Sequence, residues 1–155
     1  MTHILYGDRI SKQAKLRLGC SAVLFDETRA KVLLTCRKDN GSWCLPGGMI
    51  DAGETVSEGC EREVWEETGL QVRVTRLTGV YSDPNFMVVY PDGNQAHIIV
   101  LNFEVELLSG EPGLSSETTG VDWFPVGQAV EMDLFHGHAQ HIRDALVGNQ
   151  AAFIR

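Results

Sequence analysis

Three glutamates, Glu63, Glu66 and Glu67, stand at positions i, i+3 and i+4 in the run Glu61-Arg62-Glu63-Val64-Trp65-Glu66-Glu67. On a helix turning about 100° per residue, their carboxylates fall within an arc of roughly 100° and face one place. Like charges at this spacing cost a helix a few tenths of a kcal/mol. The apolar stripe Val56, Cys60 and Val64 lies beside that arc rather than opposite it, so the carboxylates are expected to be partly desolvated. Crowded carboxylates in that position must either take up protons or gather positive charge, and a hard divalent cation with oxygen ligands meets the second need. Magnesium or manganese fits. The absence of His or Cys from the ligand set argues against zinc, and the absence of a Glu-x-x-His motif argues against a di-iron centre. Taken alone, the triplet is also compatible with a solvated acidic helix face, so its surroundings must decide.

The elements that have to position these carboxylates are legible around them. Thr55 and Glu58 have capping-box spacing and Gly69 follows Thr68 as a stop, which predicts a helix over about 56 to 68. Before it, Trp43-Cys44-Leu45-Pro46-Gly47-Gly48 reads as a bent segment outside regular structure. Leu16, Leu18, Cys20 and Ala22 alternate into Val23-Leu24-Phe25 as a strand. Val32-Leu33-Leu34 follows after a turn at Asp26 to Arg29, so the two strands are expected to form a hairpin. After the helix, Gln71 to Val80 reads as a strand. Phe86 to Tyr90 leads through Pro91-Asp92-Gly93-Asn94 into His97 to Leu107 as a second hairpin, with Leu101, Phe103, Val105 and Leu107 on one face. Val121 to Phe124 is expected as a short last strand. Residues from Val126 onward, including Ile142, Ala145 and Leu146, are expected as a closing helix. This order predicts an α/β domain with a mixed sheet covered on two faces.

Gross properties bound the partners. A chain of 155 residues, 43% hydrophobic, is long enough for one domain with its own core, and residues 1–155 are read as that single domain. No apolar run reaches the roughly 20 residues needed to cross a bilayer and no signal-peptide pattern is visible, so a cytoplasmic protein without a membrane partner is expected. Cys20, Cys36, Cys44 and Cys60 form no C-x-x-C pair and are read as reduced thiols. A formal charge of -8 works against a nucleic acid as partner, whose binding needs clustered Lys and Arg. A small nucleotide-like substrate that carries its own metal remains open.

The residues spaced around the glutamates carry more. Gly48, five residues, Glu54, seven residues, Arg62-Glu63, aliphatic Val64, one residue, Glu66-Glu67, one residue, Gly69 and aliphatic Leu70 form a pattern whose chance occurrence at a given start is on the order of 10⁻⁹ to 10⁻¹⁰. The pattern resembles the complete signature of the Nudix (MutT-type) hydrolases, and it spans about a sixth of the chain. The resemblance implies the Nudix fold, an α/β/α sandwich around a mixed β-sheet. It also implies an enzyme, a pyrophosphohydrolase acting on a nucleoside diphosphate linked to some other moiety X. Glu63, Glu66 and Glu67 would be metal ligands for Mg²⁺ (or Mn²⁺), joined by a backbone carbonyl of Gly47 or Gly48. Arg62 would steer a glutamate, its fork suited to a bidentate hold on Glu66 one turn away. Glu54, near the helix N-terminus, would stand behind the ligands. Glu117, ahead of the last strand, matches a place from which some members draw a general base.

Substrate identity lies outside the motif. Arg37 and Lys38 could contact phosphate or simply be a solvated strand end. Pro84, about fifteen residues after Gly69, loosely resembles a placement in ADP-ribose hydrolysing members. An ADP-ribose-like substrate and a (d)NTP or modified nucleotide stand as equal expectations, and association into a homodimer is left open. Trp43, Phe86, Tyr90 and Trp123 are candidates to stack a base or to fill the core. His136, His138 and His141 do not share one helical face, so they are expected as surface or C-terminal packing rather than as a metal site. The competing class is a nucleotide-sensing module on the same fold without hydrolysis.

Overall fold

The computed structural model describes residues 2–155. Its centre is strand β2 (Lys15–Leu24), where side-chain alternation sends neighbouring residues to opposite faces. Cys20, Ala22 and Leu24 enter one apolar cluster, while Val23 and the following Phe25 enter another. The same split occurs in β3 (Lys31–Arg37), with Leu33 on the first side and Val32 and Leu34 on the second. Helix α1 (Val56–Thr68) covers the first face through Cys60 and Val64. Helices α2 (Val126–Ala129) and α3 (His138–Val147) cover the other through Ala129, Ile142 and Ala145. A strand layer between helices is the expected α/β/α sandwich.

The layer is made of two sheets. In the larger one, β2 lies between β5 (Gly47–Met49) and β8 (Gln95–Ser109), antiparallel to the first and parallel to the second. Along its far side β8 carries β6 (Gln71–Tyr81) and β7 (Phe86–Val89); β1 (His3–Tyr6) adds to β7. The smaller sheet has β3 between β4 (Trp43–Cys44) and β9 (Thr118–Pro125). The hairpin expected between β2 and β3 is therefore corrected. The turn is present, with Arg29 donating its N–H to the Asp26 carbonyl, but only Phe25 and Val32 bridge before the strands diverge into different sheets.

Other expectations are refined in the same way. α1 begins and ends where the caps place it: Thr55 accepts the Glu58 N–H, Glu58 accepts the Thr55 N–H, and Gly69 takes φ 75°. The Trp43 to Gly48 segment is not irregular throughout, since both of its ends pair as β4 and β5. The closing helix is broken into α2 and α3. Val121 to Phe124 is not the last strand, because β10 (Phe153–Ile154) pairs in parallel with β6. The four cysteines are free. No helix among the described residues is long and apolar enough to cross a membrane.

Candidate active site

α1 and β5 bring the acidic motif against backbone. Gly48 lies so close to Glu63 that a Cβ at this position would overlap the carboxylate, and a Cβ on Gly47 would overlap the Cys20 carbonyl in β2. Glycine at both positions is therefore a packing requirement, and it lets β5 run directly beneath the helix. The Gly47 N–H donates to Glu67 Oε2 at 3.0 Å. Burial, with Glu63 and Glu117 nearby, pushes the Glu67 carboxyl up to about 7 despite that hydrogen bond and the Arg37 charge. Burial also raises Glu63, opposed by Arg62. Glu66 is the open member, its side chain 49% exposed against 14% for Glu63.

Arg62 organises the group, though not as expected. Its fork is taken by Glu54, through Nε to Oε1 and Nη2 to Oε2, and Nη2 also donates to the Met49 carbonyl at 3.0 Å. Glu66 is not held bidentately: Arg62 Nη1 is shared between Glu63 at 3.0 Å and Glu66 at 3.1 Å. The guanidinium holds the Glu54 carboxyl down at about 2. Glu54 thus bonds to Arg62 and to the Asp51 N–H, behind the other glutamates.

Glu63, Glu66, Glu67 and Glu117 all line one cavity of about 590 Å³. Within it Arg62 and the Gly47 N–H draw the carboxylates onto separate partners. No three His, Cys, Asp or Glu side chains among the described residues are gathered as ready ligands. The residues nonetheless fit a hard divalent ion. The side-chain donors are all oxygen, two of them have carboxyls raised by burial, and the glycine strand lets the Glu63 carboxylate lie directly against backbone.

The remaining candidates divide. Glu117, in the loop before β9, faces Glu63 and Glu67 closely enough to raise both. Arg37 lines the same cavity, paired with Asp39 at 2.7 Å and set over the Phe135 ring at 4.8 Å. Lys38 does not reach it. With Arg37, Glu67 and Glu117 it lines an adjoining cavity of about 440 Å³. Pro84 is outside both walls, its carbonyl bonded to the Ser11 N–H and hydroxyl, whereas its neighbour Asp83 lines the main cavity. Phe86 and Tyr90 line that cavity as well, while Trp43 and Trp123 pack against the two apolar clusters.

The histidines, expected as surface or C-terminal packing, are in part the latter, since His141 is buried within α3, but they also face the site. His136, His138 and His141 line the same cavity rather than the surface. His136 stacks on Phe86 at 4.2 Å and 9°, and His141 stacks on Tyr81 at 3.8 Å. Their H-x-H-x-x-H spacing offered no shared helical face because His136 precedes α3, and partners from β1, β6 and β7 bring the rings together.

The chain resembles known proteins over most of its length. A family model described as the NUDIX domain matches residues 15–145. A MutT-like protein of Streptomyces ambofaciens is 37% identical over 118 residues, covering 76% of this chain and 70% of that protein. An ADP-ribose pyrophosphatase of Methanocaldococcus jannaschii is 34% identical over 146 residues, covering 85% of this chain and 83% of that one. The crystal structure of an ADP-ribose pyrophosphatase from Streptococcus suis superposes with a TM-score of 0.71 at 25% identity, over 90% of this chain and 98% of that one.

Proposed function

The chain belongs to the Nudix hydrolase family, enzymes acting on pyrophosphate bonds, and on that premise we propose that it hydrolyses ADP-ribose or a closely similar nucleoside diphosphate joined to a sugar. The single observation that carries the chemistry is the packing of Gly48 against the Glu63 carboxylate, on the wall of a cavity that Glu66, Glu67 and Glu117 also line. The substrate class is supported by the two similar proteins described as ADP-ribose pyrophosphatases.

Glu63, Glu66 and Glu67, with a carbonyl of Gly47 or Gly48, would hold Mg²⁺ or Mn²⁺. When bound, the ion neutralises diphosphate oxygens and lowers the pKa of an attacking water. Arg62 keeps Glu63 and Glu66 oriented, and Glu54 keeps Arg62 in place by occupying its fork. Glu117 reaches the same cavity from a separate loop and is assigned the proton acceptor for the attacking water. Arg37 lines both cavities, which supports a role for it in meeting a phosphate oxygen.

The test is a magnesium-dependent hydrolysis screen over ADP-ribose, nucleotide sugars, dinucleoside polyphosphates, and canonical and oxidised nucleoside triphosphates, with products identified. The expected result is preferential cleavage of ADP-ribose to AMP and ribose 5-phosphate. Preferential turnover of a triphosphate would overturn the substrate assignment. Tight binding without turnover of anything would overturn the hydrolase reading in favour of nucleotide sensing.

A further inference from the structure

The far wall of the main cavity contains two imidazoles whose protonation sites can be deduced from their neighbours. Asn102 is fully buried. Its Nδ2 donates to Thr78 Oγ1 at 2.6 Å and to the His141 carbonyl at 3.3 Å, so its Oδ1 must be the atom facing Ser21. Ser21 Oγ donates its only proton to that Oδ1 at 2.7 Å. The contact of Ser21 Oγ with His141 Nδ1 at 3.2 Å is therefore a donation from Nδ1–H. Burial drives the His141 pKa down to about 3, so the ring is neutral near pH 7 and its Nε2 carries a lone pair.

His138 has the opposite arrangement. Its Nδ1 accepts the Leu45 N–H at 2.9 Å, and burial also holds this ring neutral, so its proton sits on Nε2. His141 is only 3% exposed, and the two ring centroids are 5.1 Å apart. Neither Nε2 has a protein partner, and both residues line the cavity. Neither atom is sealed from solvent, since the sealed, unpartnered side-chain nitrogen among the described residues is His97 Nε2. The wall thus presents one donor beside one acceptor, surrounded by Tyr81, Phe86 and Phe135.

A phosphate or carboxylate oxygen offers only acceptors and would oppose the His141 lone pair, so this end of the cavity disfavours the anionic part of a substrate. A group with an N–H next to an acceptor satisfies both imidazoles, and the edge of adenine, with its exocyclic amine beside a ring nitrogen, is such a group. Leu45 and Gly47, whose N–H groups hold His138 and Glu67, are two residues apart along the chain, a spacing of at most roughly 7 Å. We propose that His138 and His141 form an adenine recognition site, His138 donating to a ring nitrogen and His141 accepting from the exocyclic amine, with Ser21 and Asn102 as positioning residues that keep His141 an acceptor. This deepens the hydrolase reading and rests on it.

The experiment measures binding of three nucleotides to the full chain by calorimetry, in chelator so that no turnover intervenes. AMP is compared with purine riboside 5′-monophosphate, which lacks the amine, and with N6,N6-dimethyl-AMP, which keeps the ring nitrogens but whose amine has no proton to donate. AMP is expected to bind about tenfold more tightly than either, the worth of one hydrogen bond in a buried site. In His141→Phe that preference should collapse to about onefold. Equal affinities for the three in the unmodified protein would overturn the proposal without any variant, and would assign the pair to the shared ribose. A preference that survives in His141→Phe, or no measurable AMP binding at millimolar concentration, would also overturn it. Failure of ADP-ribose hydrolysis would remove the function reading while leaving these affinities interpretable, so the two can fail separately.

Discussion

The two walls of the cavity bury titratable groups to opposite ends. On the glutamate wall, burial raises Glu63 and Glu67, so the carboxylates sit where their own charge is disfavoured and a cation would relieve them. On the histidine wall, burial lowers His138 and His141, and fixed hydrogen bonds to Leu45 and Ser21 hold each ring in one neutral tautomer. The first wall has unmet demand for positive charge, whereas the second has been made electrically silent and reads shape and hydrogen-bond polarity. One desolvated cavity can therefore hold an anionic reacting group and an uncharged recognition group side by side. The same low polarity sharpens both tasks.

The contrast is most directly broken at Glu67. Glu67→Gln keeps the shape of the side chain but removes its charge. Turnover is expected to fall a hundredfold or more at saturating magnesium, with cooperative unfolding retained. Near-normal kcat would show that the wall does not work through charge.

A second expectation compares the walls through stability. Glu67 has a folded pKa of about 7 against an ordinary value of 4.5, so the folded state holds its proton more tightly and this group adds stability as pH falls from 7 towards 5. His141, at about 3 against 6.5, resists a proton that the unfolded chain accepts, so its contribution is lost over the same interval. Each effect is about 2 kcal/mol between pH 7 and 5, with opposite sign. Urea unfolding in chelator should therefore show Glu67→Gln losing about 2 kcal/mol more than the unmodified protein when pH drops from 7 to 5. Identical pH slopes would show that Glu67 carries no raised pKa.

The smallest expected effect separates Glu117 from the helix glutamates. As a proton acceptor on a loop, Glu117→Gln should lower kcat about tenfold, with a smaller change in KM. An unchanged kcat would remove it from the reaction and leave the glutamate wall as a binding site for the ion alone.

Legibility from sequence followed the range of the interactions involved. Thr55, Glu58 and Gly69 marked α1 correctly because caps act over three or four residues. Glu63, Glu66 and Glu67 reach one cavity from one helix face, as their spacing suggested, and Glu117, which only the family resemblance had pointed to, lines it too. The reading of Arg62 was incomplete for the opposite reason. Spacing along a helix names Glu66 as a neighbour, but the bend between β5 and α1 delivers Glu54 to the guanidinium first.

What the chain's order of residues determined alone is the acidic helix, the glycines beneath it and the alternation that puts a helix on each face of the strands, since each depends on side-chain period or local backbone sterics. Only the tertiary structure decided that β2 and β3 part into two sheets, that Pro84 turns away and that His138 and His141 hold complementary tautomers. The last of these depends on Ser21, Leu45 and Asn102, residues from three distant segments. A proton's position on an imidazole is set by whichever group happens to face the other nitrogen, and nothing in the sequence near the histidine states what that group will be.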